Sequence, residues 1–433
     1  MGFSALQLHP SLLRGIRDLG FERPTPIQME AIPHALAGRD LLASAATGSG
    51  KTAAFLLPIL HQLIDRPRGT TRALVIAPTR ELALQIVADL AGLARHTGIR
   101  AAAVHGGVGM GPQERAFRQG VEVLVATPGR LLDHFQHGYA ALAGLEYLVL
   151  DEADRMLDMG FLPDIKRVLK HIPKARQTFF FSATMPAPIE ALTREILRTP
   201  AKVALQPKAA PAERVVQALY PVPASLKSEL LVALLRSNLM DEALVFTRTK
   251  HRADRLAKLL NAAGISAERI HGNRSQAQRT RALDGFKRGD FQVLVATDIA
   301  ARGIDVEALG HVVNFDVPAV PDDYIHRVGR TARADAHGEA FTLVAPEDEG
   351  DVAAIERALG TKLPRAKLEG FSYVASASAP LEQPRGERIA AIRAKKAGDR
   401  ARAAAKAAKR PAAESSSSAS RPRRRPYGRR GGR

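Results

Sequence analysis

Hydrophobic residues along the chain gather into short, nearly unbroken runs separated by longer stretches with helical spacing. The runs "DLLAS" (40–44), "ALVIA" (73–77), "VEVLVA" (121–126), "EYLVLD" (146–151) and "TFFFSA" (178–183) have the length and apolar content of buried strands. The rhythm resumes with "ALVFT" (243–247), "FQVLVA" (291–296), "HVVNF" (311–315) and "FTLVA" (341–345). Helical stretches lie between them, such as "HRADRLAKLLNAAG" (251–264), whose final glycine suits a C-cap. Strands alternating with helices predict parallel α/β architecture.

The pattern also repeats. "VLVAT" occurs at 123–127 and 293–297, and "ALV" at 73–75 and 243–245, both 170 residues apart; His105–Gly106 returns as His271–Gly272 after 166. Landmarks in one order at nearly constant spacing predict two tandem copies of one domain, not a solenoid with a period of roughly 20–50 residues. At 433 residues the chain also exceeds what one core usually serves. Between the copies, "TPAKVALQPKAAPAERV" (199–215) is rich in Pro and Ala and reads as a loosely packed connection. The predicted organisation is a first domain at 1–205, a linker at 206–212, a second domain at 213–371 and a basic low-complexity tail at 372–433, read as disordered.

Charge points to a partner. The formal net charge is +19, and Leu381–Arg433 alone holds 17 Lys/Arg against 4 Asp/Glu, so a polyanion, foremost a nucleic acid, is expected. No cysteine occurs, which excludes disulfides and thiolate metal sites. "MGFSALQLHP" lacks a secretory pattern, Leu6 stands where a myristoylation signal wants Ser or Thr, and "AAFLLPIL" is too short to span a bilayer. These features read as a cytoplasmic protein without a membrane partner.

After the strand "DLLAS" comes "AATGSGKTAAFLL" (45–57), a glycine-rich turn leading into a helix. Thr47, Gly48, Ser49 and Gly50 form a turn whose backbone N–H groups can approach phosphate, Lys51 can reach the β/γ phosphates, and the Thr52 hydroxyl suits Mg²⁺. The general phosphate-loop pattern wants glycine where this chain has Ala45. Further on, "LVLDEADRMLD" (148–158) sets Asp151 and Glu152 at a strand end, where a parallel sheet delivers Asp151 to the metal and Glu152 to an attacking water. "YIHRVGRTARAD" (324–335) concentrates three arginines and a histidine, and a second domain can bring two of these cations, Arg330 and Arg333, to a nucleotide across a cleft.

Together with "GFERPTPIQ" (20–28), "PTRELA" (78–83), "GG" (106–107), "TPGR" (127–130), "SAT" (182–184), "QAQR" (276–279), "ATDIAARGID" (296–305) and "HRVGRTAR" (326–333), this ordered set resembles the DEAD-box ATP-dependent RNA helicases from Phe3 to about Ala345. Ala332 stands where that family often has glycine. The resemblance implies two tandem RecA-like domains, ATP with Mg²⁺, and RNA as partner. It implies that Gln28 reads adenine with Phe21 packed on the base, that Lys51, Thr52 and Asp151 hold phosphates and metal, and that Glu152 acts on water. Arg330 and Arg333 would be arginine fingers, with Gly303 and Asp305 reaching the nucleotide from the second domain. Ser182, Thr184 and His326 would couple the nucleotide site to domain closure. Arg80, Gly107, Thr127 and Arg130 in one domain, with Arg279 and Thr297 in the other, would grip the RNA backbone. The short basic tail resembles the bacterial RhlE-like subgroup, with ribosome assembly or RNA turnover as the setting and ribosomal or RNA-degradation proteins as possible company. Two other classes stay open here: a DNA-directed superfamily 2 motor, and an RNA-annealing chaperone or clamp that would need neither Lys51 nor Glu152.

Overall fold

The computed structural model describes residues 2–45, 48–204, 215–237, 239–301, 309–331 and 338–374. The predicted linker at 206–212 lies outside the described residues, as does the tail from 375 onward. Every strand run named above is present. In chain order the strands are β1 (Leu41–Ser44), β2 (Ala73–Ile76), β3 (Ala101–Val104), β4 (Val123–Ala126), β5 (Tyr147–Leu150), β6 (Gln177–Ser182) and β7 (Ala201–Ala204) in the first half. The second half contributes β8 (Val215–Pro221), β9 (Ala243–Phe246), β10 (Ala267–Ile270), β11 (Val293–Ala296), β12 (His311–Asn314) and β13 (Gly338–Val344).

They form a seven-stranded sheet in the order β3-β4-β2-β5-β6-β1-β7 and a six-stranded sheet in the order β10-β11-β9-β12-β13-β8, with all pairs parallel. The second order retraces the first strand for strand, with β7 as the addition. The repeated segments are register partners of one another: Ala73 lies opposite Val123, and Ala243 opposite Val293. β4 and β11 are flanked by strands on both edges and buried throughout, so their side chains face helices on either side. Each fully buried Val or Leu there stabilises by about 1.5–3 kcal/mol, and a polar residue in the run would forfeit that.

Two of the strands that escaped prediction are poor in β-branched residues. β3 reads AAAV and β10 reads AERI, and both are edge strands. The reading of 199–215 as a loose connection is corrected at both ends. Ala201–Ala204 pairs with β1, turning Ala201 and Val203 inward and leaving Lys202 exposed, a two-residue alternation too short to stand out beside Pro200. Val215 already belongs to β8.

Helix starts repeat too. Thr79 opens the helix Arg80–Leu93 by accepting from Leu82 N at 3.2 Å, and Thr249, 170 residues on, opens Lys250–Ala262 by accepting from Arg252 N at the same distance. Thr79→Ala and Thr249→Ala should each cost about 1 kcal/mol of stability. Denaturant unfolding of the single and double variants tests the equivalence. Additive, similar losses are expected, whereas a neutral effect at one site alone would break it.

Candidate active site

Parallel strands deliver their C-terminal ends to one edge, so β1, β5 and β6 bring the phosphate loop, the Asp151–Glu152 pair and Ser182 together. Gly50 caps the helix Lys51–Leu63 at φ 88°, a conformation that favours glycine, and a side chain there would run into Gln28 Nε2 and Thr25 Oγ1. Gln28 donates through Nε2 to Gly50 O at 3.0 Å and accepts from Thr25 N at 2.9 Å through Oε1. Both ends of the amide predicted to read adenine are therefore engaged, one capping its own helix at Thr25 and the other bracing the phosphate loop at Gly50, while Phe21 is exposed beside this segment.

Lys51 is buried and donates to Ala45 O at 3.0 Å, within its own loop. Asp151 is buried too. Burial pushes its carboxyl up to about 6, with Glu152 adding to the rise and Lys51 opposing it. Glu152 begins the helix Ala153–Asp158 in the left-handed region at φ 51°, and one carboxylate oxygen lies 3.5 Å from Arg155 Nε without a hydrogen-bond partner. A buried carboxylate oxygen held by an ion pair but by no hydrogen bond keeps acceptor capacity that a water can take. The half-buried Thr52 hydroxyl and the Asp151 carboxylate are hard oxygen donors of the kind Mg²⁺ prefers, so the residues fit that ion.

Asp154 fastens this edge to the next strand. Its Oδ2 accepts from Ala183 N, Thr184 N and Thr184 Oγ1 at 2.8–3.0 Å, and its N donates to Ser182 Oγ at 3.1 Å. From the second domain His326 faces Arg155 and Asp154, as well as Asp323 and Arg330 of its own domain; burial, then Arg155, holds its imidazole below the usual range. Arg155 lines one cleft with Asp298, His326, Arg327 and the buried Arg330. Thr47, Gly303, Asp305 and Arg333 lie outside the described residues.

The predicted RNA residues of the first domain converge on one glycine loop. Arg80 lies against Gly106 and Gly107, where a side chain on Gly107 would strike its guanidinium, and Arg130 Nη1 donates to Val108 O at 2.9 Å. Thr127 and Thr297 hold matching places after β4 and β11: each backbone N–H bonds to the neighbouring strand's end, at Val104 O and Ile270 O, and each carbonyl accepts the first bond of a helix. Arg279 differs from the reading as an open RNA contact. It is buried, and its Nη2 pairs with Glu81 Oε2 of the first domain at 2.9 Å while Gln276 Nε2 donates to Glu81 Oε1 at 3.0 Å.

Sequence reasoning missed Arg327. Its guanidinium pairs through two nitrogens with Asp298, at 2.6 and 2.8 Å, and donates to Asn314 Oδ1 and Asp316 O, so it organises the strand ends of the second domain. Its place between His326 and Arg330 in a motif of similar residues was the available signal.

Two matching parallel-sheet domains, the first with a glycine-rich phosphate loop beside buried acids and the second with a basic helix facing Asp154 and Arg155, have the architecture of a nucleotide-dependent helicase. Residues 25–192 match the family model for the DEAD/DEAH box helicase and 226–335 that for the helicase conserved C-terminal domain. The DEAD-box ATP-dependent RNA helicase CshA of Bacillus cereus is 43% identical over 363 residues, covering 84% of this chain and 69% of that protein. The ATP-dependent rRNA helicase RRP3 of Candida glabrata is 45% identical over 370 residues, covering 85% and 75%. Among solved structures, S. cerevisiae Dbp5 bound to RNA and ADP BeF3 superposes with a TM-score of 0.76 at 30% identity, over 84% of this chain and 95% of that one. A DEAD box protein from Methanococcus jannaschii gives 0.51 at 36% identity, over 85% and 99%. The chain belongs to the DEAD-box helicase family.

The buried Asp151 yields a test on the metal- and nucleotide-free protein. A carboxyl whose folded pKa lies above its unfolded value penalises folding once ionised; the penalty is absent below about pH 4, grows between the two values and is complete above about 6. Asp151→Asn should therefore stabilise the ligand-free fold at neutral pH, by on the order of 2–3 kcal/mol, with the gain vanishing near pH 4. Denaturant midpoints of both proteins across that range decide it, and a loss of stability at neutral pH would refute the account.

Proposed function

We propose that this chain is an ATP-dependent RNA helicase that holds the RNA backbone between its two RecA-like domains and locally separates duplex RNA. The observation that carries the reading is the buried Asp151–Glu152 pair at the sheet edge that also bears Lys51, with His326 of the second domain facing the adjoining Asp154 and Arg155. Lys51 turns from Ala45 O to the phosphates when nucleotide enters, and Glu152 orients the attacking water and takes its proton. Mg²⁺, held by Thr52 and Asp151, would neutralise phosphate charge. Arg330, with Arg333, supplies positive charge from the second domain, so hydrolysis requires both halves of the cleft. Arg80, Gly107, Thr127, Arg130 and Thr297 hold sugar and phosphate, contacts with little sequence content.

Closure follows from the pairing of Glu81 with Gln276 and Arg279 and from the approach of His326 to Asp154, which Ser182 and Thr184 relay to the nucleotide edge. The domains we assign are 1–205 and 213–371, joined by 206–212 and followed by a basic tail that tethers RNA by counterion release. The tail's charge favours the RhlE-like subgroup, acting in the cytoplasm in ribosome assembly or RNA turnover. The rRNA helicase among the relatives supports the ribosomal setting. Among the described residues no helix is long and apolar enough to cross a membrane.

ATP turnover measured without nucleic acid and with single-stranded RNA, duplex RNA and single-stranded DNA tests the reading, with stimulation by RNA alone expected. Glu152→Gln should lower RNA-stimulated turnover by about a hundred-fold or more while leaving binding of RNA and a non-hydrolysable ATP analogue close to wild type. Equal stimulation by DNA would shift the assignment to a DNA-directed motor, and unchanged turnover in Glu152→Gln would remove that residue from the chemistry.

A further inference from the structure

Beyond the nucleotide cleft the first domain carries an open cavity of about 840 Å³ lined by Met110, Glu114, Arg118, Gln136, His137 and Tyr139. Its walls continue the two segments that end in the RNA grips. Helix Gly111–Gln119 follows the Gly106–Val108 loop, and residues 136–139 follow the helix Pro128–Phe135 that bears Arg130.

The cavity is built around a short stack. The His137 and Tyr139 rings are parallel, 5° apart in plane and 5.4 Å between centroids, and the Arg118 guanidinium sits 5.1 Å from the Tyr139 centroid. Arg118 is held by Glu114, with Nε donating to Oε1 at 2.8 Å. His137 and Arg118 are exposed, so each keeps an outer face open to the cavity. Flat aromatic and guanidinium faces are what an unpaired base stacks on. Because Glu114 offsets the charge of Arg118, the cavity offers no net cation to a phosphate, and its volume lies within the range of a small-ligand pocket.

A chain of hydrogen bonds fixes the stack to the RNA loop. Gln113 Nε2 donates to His105 O at 3.0 Å, which leaves Gln113 Oε1 to accept from His134 Nε2 at 3.2 Å. His134 Nδ1 is then an acceptor, and the Tyr139 hydroxyl donates to it at 2.9 Å. Burial and the neighbouring Arg130 hold His134 below its usual range, consistent with the neutral ring the chain of donors needs. Tyr139 is thereby oriented by the same backbone that ends in Gly106–Gly107.

We propose that Arg118, Tyr139 and His137 form a base-stacking subsite that takes an unpaired nucleobase of the RNA strand where it leaves the Gly106–Gly107 and Thr127–Arg130 grips. The subsite rests on the RNA-helicase reading and lengthens its RNA track. A base seated there is unavailable for pairing, so the subsite favours the separated strand, and since every base presents a π-face it does so without sequence preference.

The test uses the full chain, a non-hydrolysable ATP analogue and single-stranded RNAs of graded length, from about 4 to about 16 nucleotides. A fluorescent adenine analogue is walked along the strand. Wild type should gain affinity at a length that first reaches the stack, with the probe quenched at that position. The Arg118→Ala/His137→Ala double variant should bind long RNA about ten-fold more weakly, lose the quenching, and keep its affinity for the shortest stimulating RNA. His137→Phe, which keeps a ring, should restore binding. Equal loss on short and long RNA, wild-type affinity in the double variant, or failure of the phenylalanine to rescue would each overturn the subsite. These outcomes leave RNA-stimulated turnover intact, whereas its absence in wild type would sink the helicase reading and the subsite with it.

Discussion

The Asp154 carboxylate is the fixed point on which the nucleotide edge depends. Asp154 closes the loop after β6 by accepting two backbone N–H groups and a hydroxyl through one oxygen, and its other oxygen accepts from Arg155 N. A carboxylate with this many donors is a strong anchor even though it is buried. It sets the direction in which Glu152 points, because Glu152 is held in a left-handed conformation just before the helix that Asp154 pins. It is also among the groups His326 meets from the second domain. Displacing this one side chain would loosen the catalytic edge and the closure contact together.

The two domains share a strand plan and spend it differently. In the first, the acid at the end of the central strand is Asp151, buried with Lys51 near it, and the Glu152 carboxylate beside it has one oxygen that no hydrogen bond reaches. In the second, Asp316 follows the matching strand, but Arg252 pairs with it, Arg248 N donates to it at 2.8 Å, and its carbonyl takes Arg327. Acceptors filled by hydrogen bonds make a scaffold, and an acceptor left open can take a ligand. The strand end that is neutralised positions arginines for use elsewhere. The duplicated threonines escape this division, since Thr127 and Thr297 keep the same backbone geometry in both copies.

The fold was legible where apolar runs are long and buried on both faces, because only strands of a covered parallel sheet read that way. Edge strands such as β3 and β7 hid because half of each is exposed or built from alanine. The phosphate loop and the acids after β5 were legible because their chemistry is local in sequence. Contacts between distant segments were not. Nothing near Gln276 and Arg279 says that they meet Glu81, and although Thr25 and Gln28 have capping-box spacing, nothing near Gln28 says that its amide also reaches Gly50. The first contact is set by how the two domains approach and the second by how the Gln28 helix packs on the phosphate loop, and a single sequence carries no record of either.

The location of the Glu81 clamp gives the closed arrangement its logic. Glu81 follows Arg80, whose guanidinium rests on Gly106–Gly107, so the residue that ties the domains together sits one position from a residue assigned to the RNA. Arg279 is buried in this pair, and burial lowers its pKa against the pull of Glu81, so leaving the pair would cost little if the guanidinium were then solvated. Interdomain ion pairs of this kind are weak in net energy and sensitive to geometry. A ligand that orders the Arg80 helix start therefore shifts the balance between open and closed by its differential affinity alone, and the same balance governs how often His326 meets Asp154 and Arg155. Two weak contacts, each adjacent to a different ligand, are enough to make the binding of one ligand depend on the other.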